Sequence, residues 1–312
     1  MDMRYLILGA GALGGFFGGR MLEAGLDTTF LVRERRATAL AKRGLRVTSP
    51  KGDIHIDKPP LVQADGLKAA YDTIILSCKA YDLDSAMEAI APAVGAGTAI
   101  IPLLNGMDHI ERLQQRFDVR NVLGGLSVIS ASLDAEGDIH HHNDLDLLSF
   151  GELDGSRSAR VSAIESDLVK TRFTAKASDD IQLAMWEKWC FIASLAGINC
   201  LMRAPVGEVI QAGGMALALK LYSECAAVAA SQGFSPRAEA RQRSDGFLSA
   251  KGSTLTASML RDIQRGSPTE GEHILGTLLR HAASANIDAP TLEAATVHLR
   301  AYENYRTNAT QG

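Results

Sequence analysis

The sequence predicts an α/β protein: a doubly wound parallel sheet over residues 1–178, followed by an all-helical domain over residues 179–312. Three observations carry that prediction. Short apolar and β-branched runs alternate with helical stretches through the first half, the pattern of successive βαβ units. A glycine-rich loop stands between the first strand and the first helix. From Ile181 onward, apolar residues recur at helical spacing to the end of the chain.

The first strand is Tyr5-Leu6-Ile7-Leu8, and Gly9-Ala10-Gly11-Ala12-Leu13-Gly14 follows it at G-x-G-x-x-G spacing. Phe16, Phe17, Met21 and Leu22 then recur at helical intervals. Each glycine has its own task. Gly9 permits a tight turn, Gly11 lets backbone approach a pyrophosphate, and Gly14 lets helix and strand pack closely. The free N–H groups at the helix start, with the positive end of the helix dipole behind them, suit phosphate. This context predicts a dinucleotide site on a Rossmann-type sheet. Thr28–Val32 reads as the second strand and ends at Arg33, where an NAD-binding chain usually carries Asp or Glu. A guanidinium there suits a 2′-phosphate, which an acidic residue would repel. The expected cofactor is therefore NADPH.

A basic helix follows around Ala37–Lys42, then a small hairpin of Leu45–Thr48 and Ile54–Ile56. Asp72–Cys78 is a buried strand ending at Lys79, Asp82–Ala93 a helix, and Thr98–Leu104 a strand ending in Asn105-Gly106. Ile110–Phe117 reads as helix and Val122–Ser132 as strand. Ligands of such sheets lie beyond the carboxyl ends of the strands, which is where Arg33, Lys79 and Asn105 fall. Gly137–Phe150 changes to a polar, alternating hairpin containing His140-His141-His142. Neighbours on a strand point to opposite faces, so at most two of the three could converge, and no metal site is predicted. A helix at Ser158–Val169 and a strand at Phe173–Ala177 close the first half.

In the second half, Ile181–Ile198 is apolar nearly all round and reads as a buried spine. Lys188 shares a stripe with Ile181, Ala184, Met185, Ile192 and Leu195, while Glu187 points elsewhere, so the two form no i,i+4 ion pair. An ammonium in an apolar stripe is costly unless it meets a partner or a cleft. Further helices are expected at Met215–Gln232, Arg237–Leu248, Leu255–Gln264, Pro268–Ala285 and Thr291–Asn304. Ser267-Pro268-Thr269-Glu270 reads as a helix start with Ser267 as N-cap and Glu270 closing a capping box. Asn308 to Gly312 are expected to be loose.

With 312 residues, 46% of them hydrophobic, the chain can build two cores. A formal charge of −4 with interspersed signs argues against nucleic acid or an anionic membrane as partner. No run approaches the ~18 apolar residues of a membrane span, and the first strand begins too early to leave room for a signal peptide. Cys78, Cys190, Cys200 and Cys225 are scattered and read as reduced thiols of a cytoplasmic protein.

Taken together, these motifs resemble the ketopantoate reductase family, the NADPH-dependent enzymes that reduce 2-dehydropantoate to pantoate for coenzyme A synthesis. The resemblance rests on Gly9–Gly14, Lys79 in Ser-Cys-Lys-Ala, Asn105-Gly106-Met107 and Trp186-Glu187-Lys188. It continues through Pro205-Val206-Gly207-Glu208, Ser258-Met259-Leu260-Arg261-Asp262 and Thr269-Glu270. It implies a Rossmann domain, an all-helical domain and an active site in the cleft between them. By that resemblance Arg33 and Lys79 hold the adenosine phosphate side, and Ala131 lines the cofactor site. Asn105 lies near nicotinamide and substrate, Lys188 is the general acid, Ser258 binds substrate, and Glu270 contacts cofactor or substrate. The implied partner is a small 2-oxo acid, and a homodimer is the assembly considered. One departure stands out: the family carries Asn four and eight residues after the lysine, where this chain has Ile192 and Ala196. Val206 likewise replaces the asparagine before Gly-Glu. The default substrate is 2-dehydropantoate, the alternative a more apolar 2-oxo acid. Were its distal hydroxyl bound after all, Asn199, Ser194 and Ser258 are the candidates. A non-catalytic NADPH sensor would need Arg33 and the glycines but would have no use for Lys188.

Overall fold

The computed structural model of the chain describes residues 3–68 and 71–309. Two compact units emerge, one formed by residues up to Leu104 with His109–Ile181, the other by Asn105–Asp108 with all residues from Gln182.

The first unit opens with β1 (Tyr5–Leu8), α1 (Ala12–Glu23), β2 (Thr28–Leu31), α2 (Glu34–Arg43), β3 (Leu45–Thr48), β4 (Ile54–Ile56) and β5 (Leu61–Val62). It continues through β6 (Thr73–Leu76), α3 (Leu83–Ile90), β7 (Ala99–Pro102), α4 (Asp108–Arg116), β8 (Gly124–Leu133), β9 (Ile139–Gly151), α5 (Ala159–Leu168) and β10 (Thr174–Ala177). The parallel sheet runs in the order β5-β2-β1-β6-β7. Every residue of β6 and β7 is buried, as expected of strands covered on both faces. Leu8 lies opposite Leu31 and Leu76 in register, so the segments after β1, β2 and β6 leave the sheet at one edge. The strand order reverses at β1, the point at which open α/β sheets bind ligands.

Gly9 has φ +87°, a left-handed conformation that suits glycine. At Gly14 the constraint is contact: a Cβ would lie 2.2 Å from the Gly9 carbonyl oxygen and 2.3 Å from Ser77 Oγ. Gly11 has nothing within 4 Å of the equivalent point.

The sequence read Val122–Ser132 as another strand of the parallel sheet. Here β8 instead pairs antiparallel with β9 in a second, mixed sheet of order β10-β9-β3-β4. The hairpin predicted for β3 and β4 is present and joins this sheet through parallel pairing of β3 with β9. Strand pairing is non-local, and local patterning cannot specify the partner. The three histidines disperse along β9. His140 Nε2 sits 2.8 Å from Asp134, buried His141 bonds Ser49 and the Leu145 carbonyl, and His142 bonds Ser132.

The second unit contains α6 (Ile181–Met202), α7 (Val206–Gln211), α8 (Met215–Ser231), α9 (Ala238–Leu248), α10 (Ser258–Gln264), α11 (Thr277–Ser284) and α12 (Pro290–Ala309). The spine α6 buries Trp189, Ser194 and Asn199 completely. Its Glu187 is buried too and takes three bonds from Arg237, at 2.9, 2.7 and 2.6 Å. Burial pushes the Glu187 pKa upward, but the bonds from Arg237 outweigh it and hold the carboxyl below its ordinary range. The buried carboxylate of Glu224 on α8 accepts the first N–H groups of α12, from Thr291 and Leu292, and so fixes where that helix starts.

The predicted capping box at Ser267 does not form. The helix begins at Gly271 with a π-helical turn over Glu272–Gly276. The Thr269 amide and hydroxyl are held by Glu303 of α12 at 2.6 and 2.7 Å, a tertiary bond that replaces the local cap. Helix α10 likewise starts at Ser258, later than the expected Leu255. Of the tail expected to be loose, Asn308 and Ala309 belong to α12, and residues 310–312 lie outside the described residues.

A methyl group separates the roles of two glycines. Gly14→Ala is expected to destabilise the protein by about 1–3 kcal/mol through overpacking, visible as a lowered Tm. Gly11→Ala should leave Tm unchanged. Equal Tm for both variants would show that α1 and β1 can move apart at no cost.

Candidate active site

A cavity of about 710 Å³ opens in the first unit where β1, β2 and β6 end. The turn Gly9-Ala10-Gly11 forms one wall, Arg33 and Arg36 another, and Ser77, Lys79 and Asp82 a third. Ala12, Leu13 and Gly14 follow as the first turn of α1, whose N-cap Gly11 supplies no side-chain cap. Ser77 anchors the turn by donating to the Leu8 carbonyl at 2.8 Å.

Three predicted cofactor contacts, the loop, Arg33 and Lys79, are thus brought together in one cavity. The Arg33 side chain is 76% exposed, and its Nη2 donates to Asp82 at 2.9 Å and Ser85 at 3.2 Å. That bond to Asp82 raises the Arg33 pKa. The sequence reading missed this carboxylate, because Asp82 reads as the first residue of a helix far along the chain. Ala131 lies on β8 beyond a bulge, opposite His141. Leu133, two residues on and therefore on the same face, lines the cavity.

Asn105 falls in the second unit and not with the strand that precedes it. Its carbonyl accepts from His273 Nε2 at 2.7 Å, while Asp108 bonds the Thr277 hydroxyl at 2.8 Å and pairs with Arg280 at 3.2 Å. The intervening Gly106 has φ +86°, and a Cβ there would meet the His273 ring at 3.0 Å. A lone histidine on a helix gave no sequence signal for this contact.

Lys188 lies on α6, partly buried, and among the described residues no hydrogen bond or ion pair is formed by its ammonium within ordinary distance. Burial lowers its pKa to about 8, partly opposed by the charge of Glu270, itself buried. Ile192, one turn further along, is partly buried, whereas Ala196 is 3% exposed within the helical core. Ser258 is exposed at the first position of α10. Asn199 and Ser194 are spent on structure. The Asn199 amide bonds the Ala257 N–H and the Ala204 carbonyl, both at 2.8 Å, and Ser194 donates to the Cys190 carbonyl at 2.7 Å. Val206, in place of the third family asparagine, is buried.

None of the four cysteines forms a disulfide, and no helix among the described residues is long and apolar enough to cross a membrane.

Comparison with known proteins agrees with this arrangement over nearly the whole chain. Residues 5–155 match the family model of ketopantoate reductase PanE/ApbA, and residues 180–303 match that of its C-terminal domain. The uncharacterized oxidoreductase YkpB of Bacillus subtilis is 36% identical over 302 residues, covering 96% of this chain and 99% of its own. The crystal structure of 2-dehydropantoate 2-reductase from Geobacter metallireducens superposes with a TM-score of 0.88 at 26% identity, covering 96% and 99% of the two chains. D-mandelate dehydrogenase, in a ternary structure with NADH and anilino(oxo)acetate, shares the fold at a TM-score of 0.88 and 20% identity, covering 98% and 100%. A glycine loop at the sheet's reversal point, a lysine on the spine helix and family matches to both halves lead to one conclusion: the chain belongs to the ketopantoate reductase family, oxidoreductases acting on a CH–OH group.

Proposed function

We propose that the protein reduces a 2-oxo acid to the 2-hydroxy acid with NADPH, with 2-dehydropantoate to (R)-pantoate as the default reaction. The observation that carries this reading is Lys188, a lysine on the largely apolar spine helix whose burial brings its pKa to about 8. A protein that only sensed the nucleotide would gain nothing from so costly a group.

The first unit fits a dinucleotide. The open space at Gly11 leaves room for phosphate beside the backbone, and the Gly9–Gly14 loop would hold the pyrophosphate. Arg33 would take the 2′-phosphate, exchanging its bond to Asp82 for one to a more highly charged partner, and Lys79 would add a second cation. Ala131, Asn105 and Glu270 complete the assigned cofactor contacts. When bound, NADPH supplies the hydride that reduces the ketone carbon. Lys188, protonated below about pH 8, stabilises the negative charge left on the ketone oxygen and donates its proton there. Glu270 keeps the lysine charged nearer neutrality than burial alone would allow.

A second reading keeps the chemistry and changes the substrate. Ile192, half-buried, offers only methyl and methylene surface, Ala196 lies in the core, and Asn199 and Ser194 are already bonded within the protein. A substrate hydroxyl left unpaired loses about 1–3 kcal/mol, roughly ten- to a hundredfold in affinity. An apolar tail gains instead from burial.

Cofactor titration tests the first assignment. NADPH should bind far tighter than NADH, and Arg33→Asp should weaken NADPH about tenfold or more while sparing NADH. Equal affinity of the unmodified protein for both nucleotides would refute the role of Arg33.

Lys188→Met should keep the fold and NADPH binding but lose roughly 10²–10⁴-fold in turnover. In the unmodified enzyme kcat/KM should fall as pH rises through about 8, because the acid must be protonated. That limb should vanish in the variant. Turnover within a few-fold of the unmodified enzyme would leave Lys188 a packing residue.

NADPH oxidation against a panel of 2-oxo acids separates the substrates. An acid lacking the distal hydroxyl should be reduced at least as efficiently as 2-dehydropantoate, and Ile192→Asn should shift the kcat/KM ratio back. Ala196 is the poorer site for that exchange, because its burial would strand an amide in the core. Strong preference of the unmodified enzyme for 2-dehydropantoate would instead make Ser258 the candidate for the hydroxyl.

A further inference from the structure

Arg36, the third residue of α2, sends its side chain back beneath the nucleotide loop. Its Nε donates to the Ala10 carbonyl at 2.8 Å and its Nη1 to the Gly137 carbonyl in the turn between β8 and β9 at 2.9 Å. The fit at that turn is close: Gly137 has φ +87°, and a Cβ there would sit 2.4 Å from Arg36 Nη1. The third nitrogen, Nη2, is buried with no hydrogen-bond partner among the described residues.

The nearby carboxylates are committed elsewhere. Asp138 pairs with Arg43 at 2.8 Å, and Asp134 accepts from His140 and from the Asp138 amide, both at 2.8 Å. Burial lowers the Arg36 pKa, while the fields of Asp138 and Asp134 act in the opposite sense. A guanidinium held by two neutral carbonyls, with one nitrogen stripped of water, is an expensive way to tie two loops together. It becomes favourable where an anion is to be held nearby.

The Ala10–Gly11 peptide is trans, so its carbonyl and its N–H point in opposite directions. Fixing the carbonyl on Arg36 therefore also fixes the Gly11 N–H, at the one glycine of the loop with open space at its Cα. We infer that Arg36 is a positioning residue for dinucleotide binding: it orients the Ala10–Gly11 peptide toward the pyrophosphate and places a half-buried positive charge behind it. This rests on the dinucleotide reading of the cavity and goes beyond it, since Arg33 and not Arg36 is assigned to the 2′-phosphate. The pyrophosphate is common to NADPH and NADH, so the effect of Arg36 is blind to the 2′-phosphate.

Binding of NADPH, NADH and adenosine 2′-monophosphate is compared in the unmodified protein, Arg36→Met and Arg36→Lys, with Tm measured alongside. Arg36→Met should weaken NADPH and NADH by the same factor, about ten- to a hundredfold. Adenosine 2′-monophosphate, which lacks the pyrophosphate, should bind as before. Arg36→Lys keeps the charge without the fork that spans two carbonyls, so it should show the same uniform loss in smaller measure. Unchanged affinities in both variants, a loss confined to NADPH, or an equal loss of adenosine 2′-monophosphate would each overturn the inference. An unmodified protein that binds neither nucleotide removes the dinucleotide reading itself. Binding by the unmodified protein with unaffected variants removes only the role of Arg36.

Discussion

The first unit depends on the closeness of α1 to β1. No side chain fits at Gly14, where the Gly9 carbonyl and Ser77 Oγ occupy the space a Cβ would need. That contact sets the start of α1 at the end of β1, and the parallel register with β2 and β6 brings Arg33 and Lys79 to the same edge. The cavity follows from backbone placement, and its charged walls from the residues that happen to end each strand. Ser77, donating to the Leu8 carbonyl, ties β6 to the loop at the point of closest approach.

Charge is handled differently in the two units. Two buried carboxylates of the helical unit are satisfied within the protein: Glu187 by Arg237, and Glu224 by the first amides of α12. Removing the Arg237 side chain would leave the Glu187 charge buried with its pairing lost, which is costly. Lys188, on the same helix as Glu187, lies instead in the field of Glu270. In the first unit, Arg33 is paired but exposed and can exchange partners, whereas Arg36 is bound to carbonyls and fixed. A mobile cation suits recognition of a ligand group, and a fixed one suits holding the backbone that meets it.

Much of this was legible in the chain. The glycine spacing, the strand ends at Arg33 and Lys79, the apolar spine and the Lys188 stripe are local patterns with periods of two or 3.6 residues, which sequence exposes directly. The family motifs extended that reading to Asn105, Ser258 and Glu270. Pairings across long sequence separations were not legible. Nothing near Asp82 announces Arg33, nothing near Thr269 announces Glu303, and the chain around Asn105 gives no hint of His273. The capping box at Ser267 failed for this reason: a locally favourable motif lost to a carboxylate from α12.

The sequence by itself determined most of the elements, though not β5, α7 or the single strand β9, together with the dinucleotide loop and the lysine on an apolar helix face, because each is written in residues close together along the chain. Only the tertiary structure decided that β8 and β9 leave the parallel sheet for a mixed one, and that Asn105 joins the helical unit. It also decided that Ala196 lies in the core and that Arg36 grips the Ala10 carbonyl. Those outcomes depend on which distant partner offers the better hydrogen bond or the closer packing. Such a choice is made among groups tens to hundreds of residues apart, and no local pattern of apolar and polar residues encodes it.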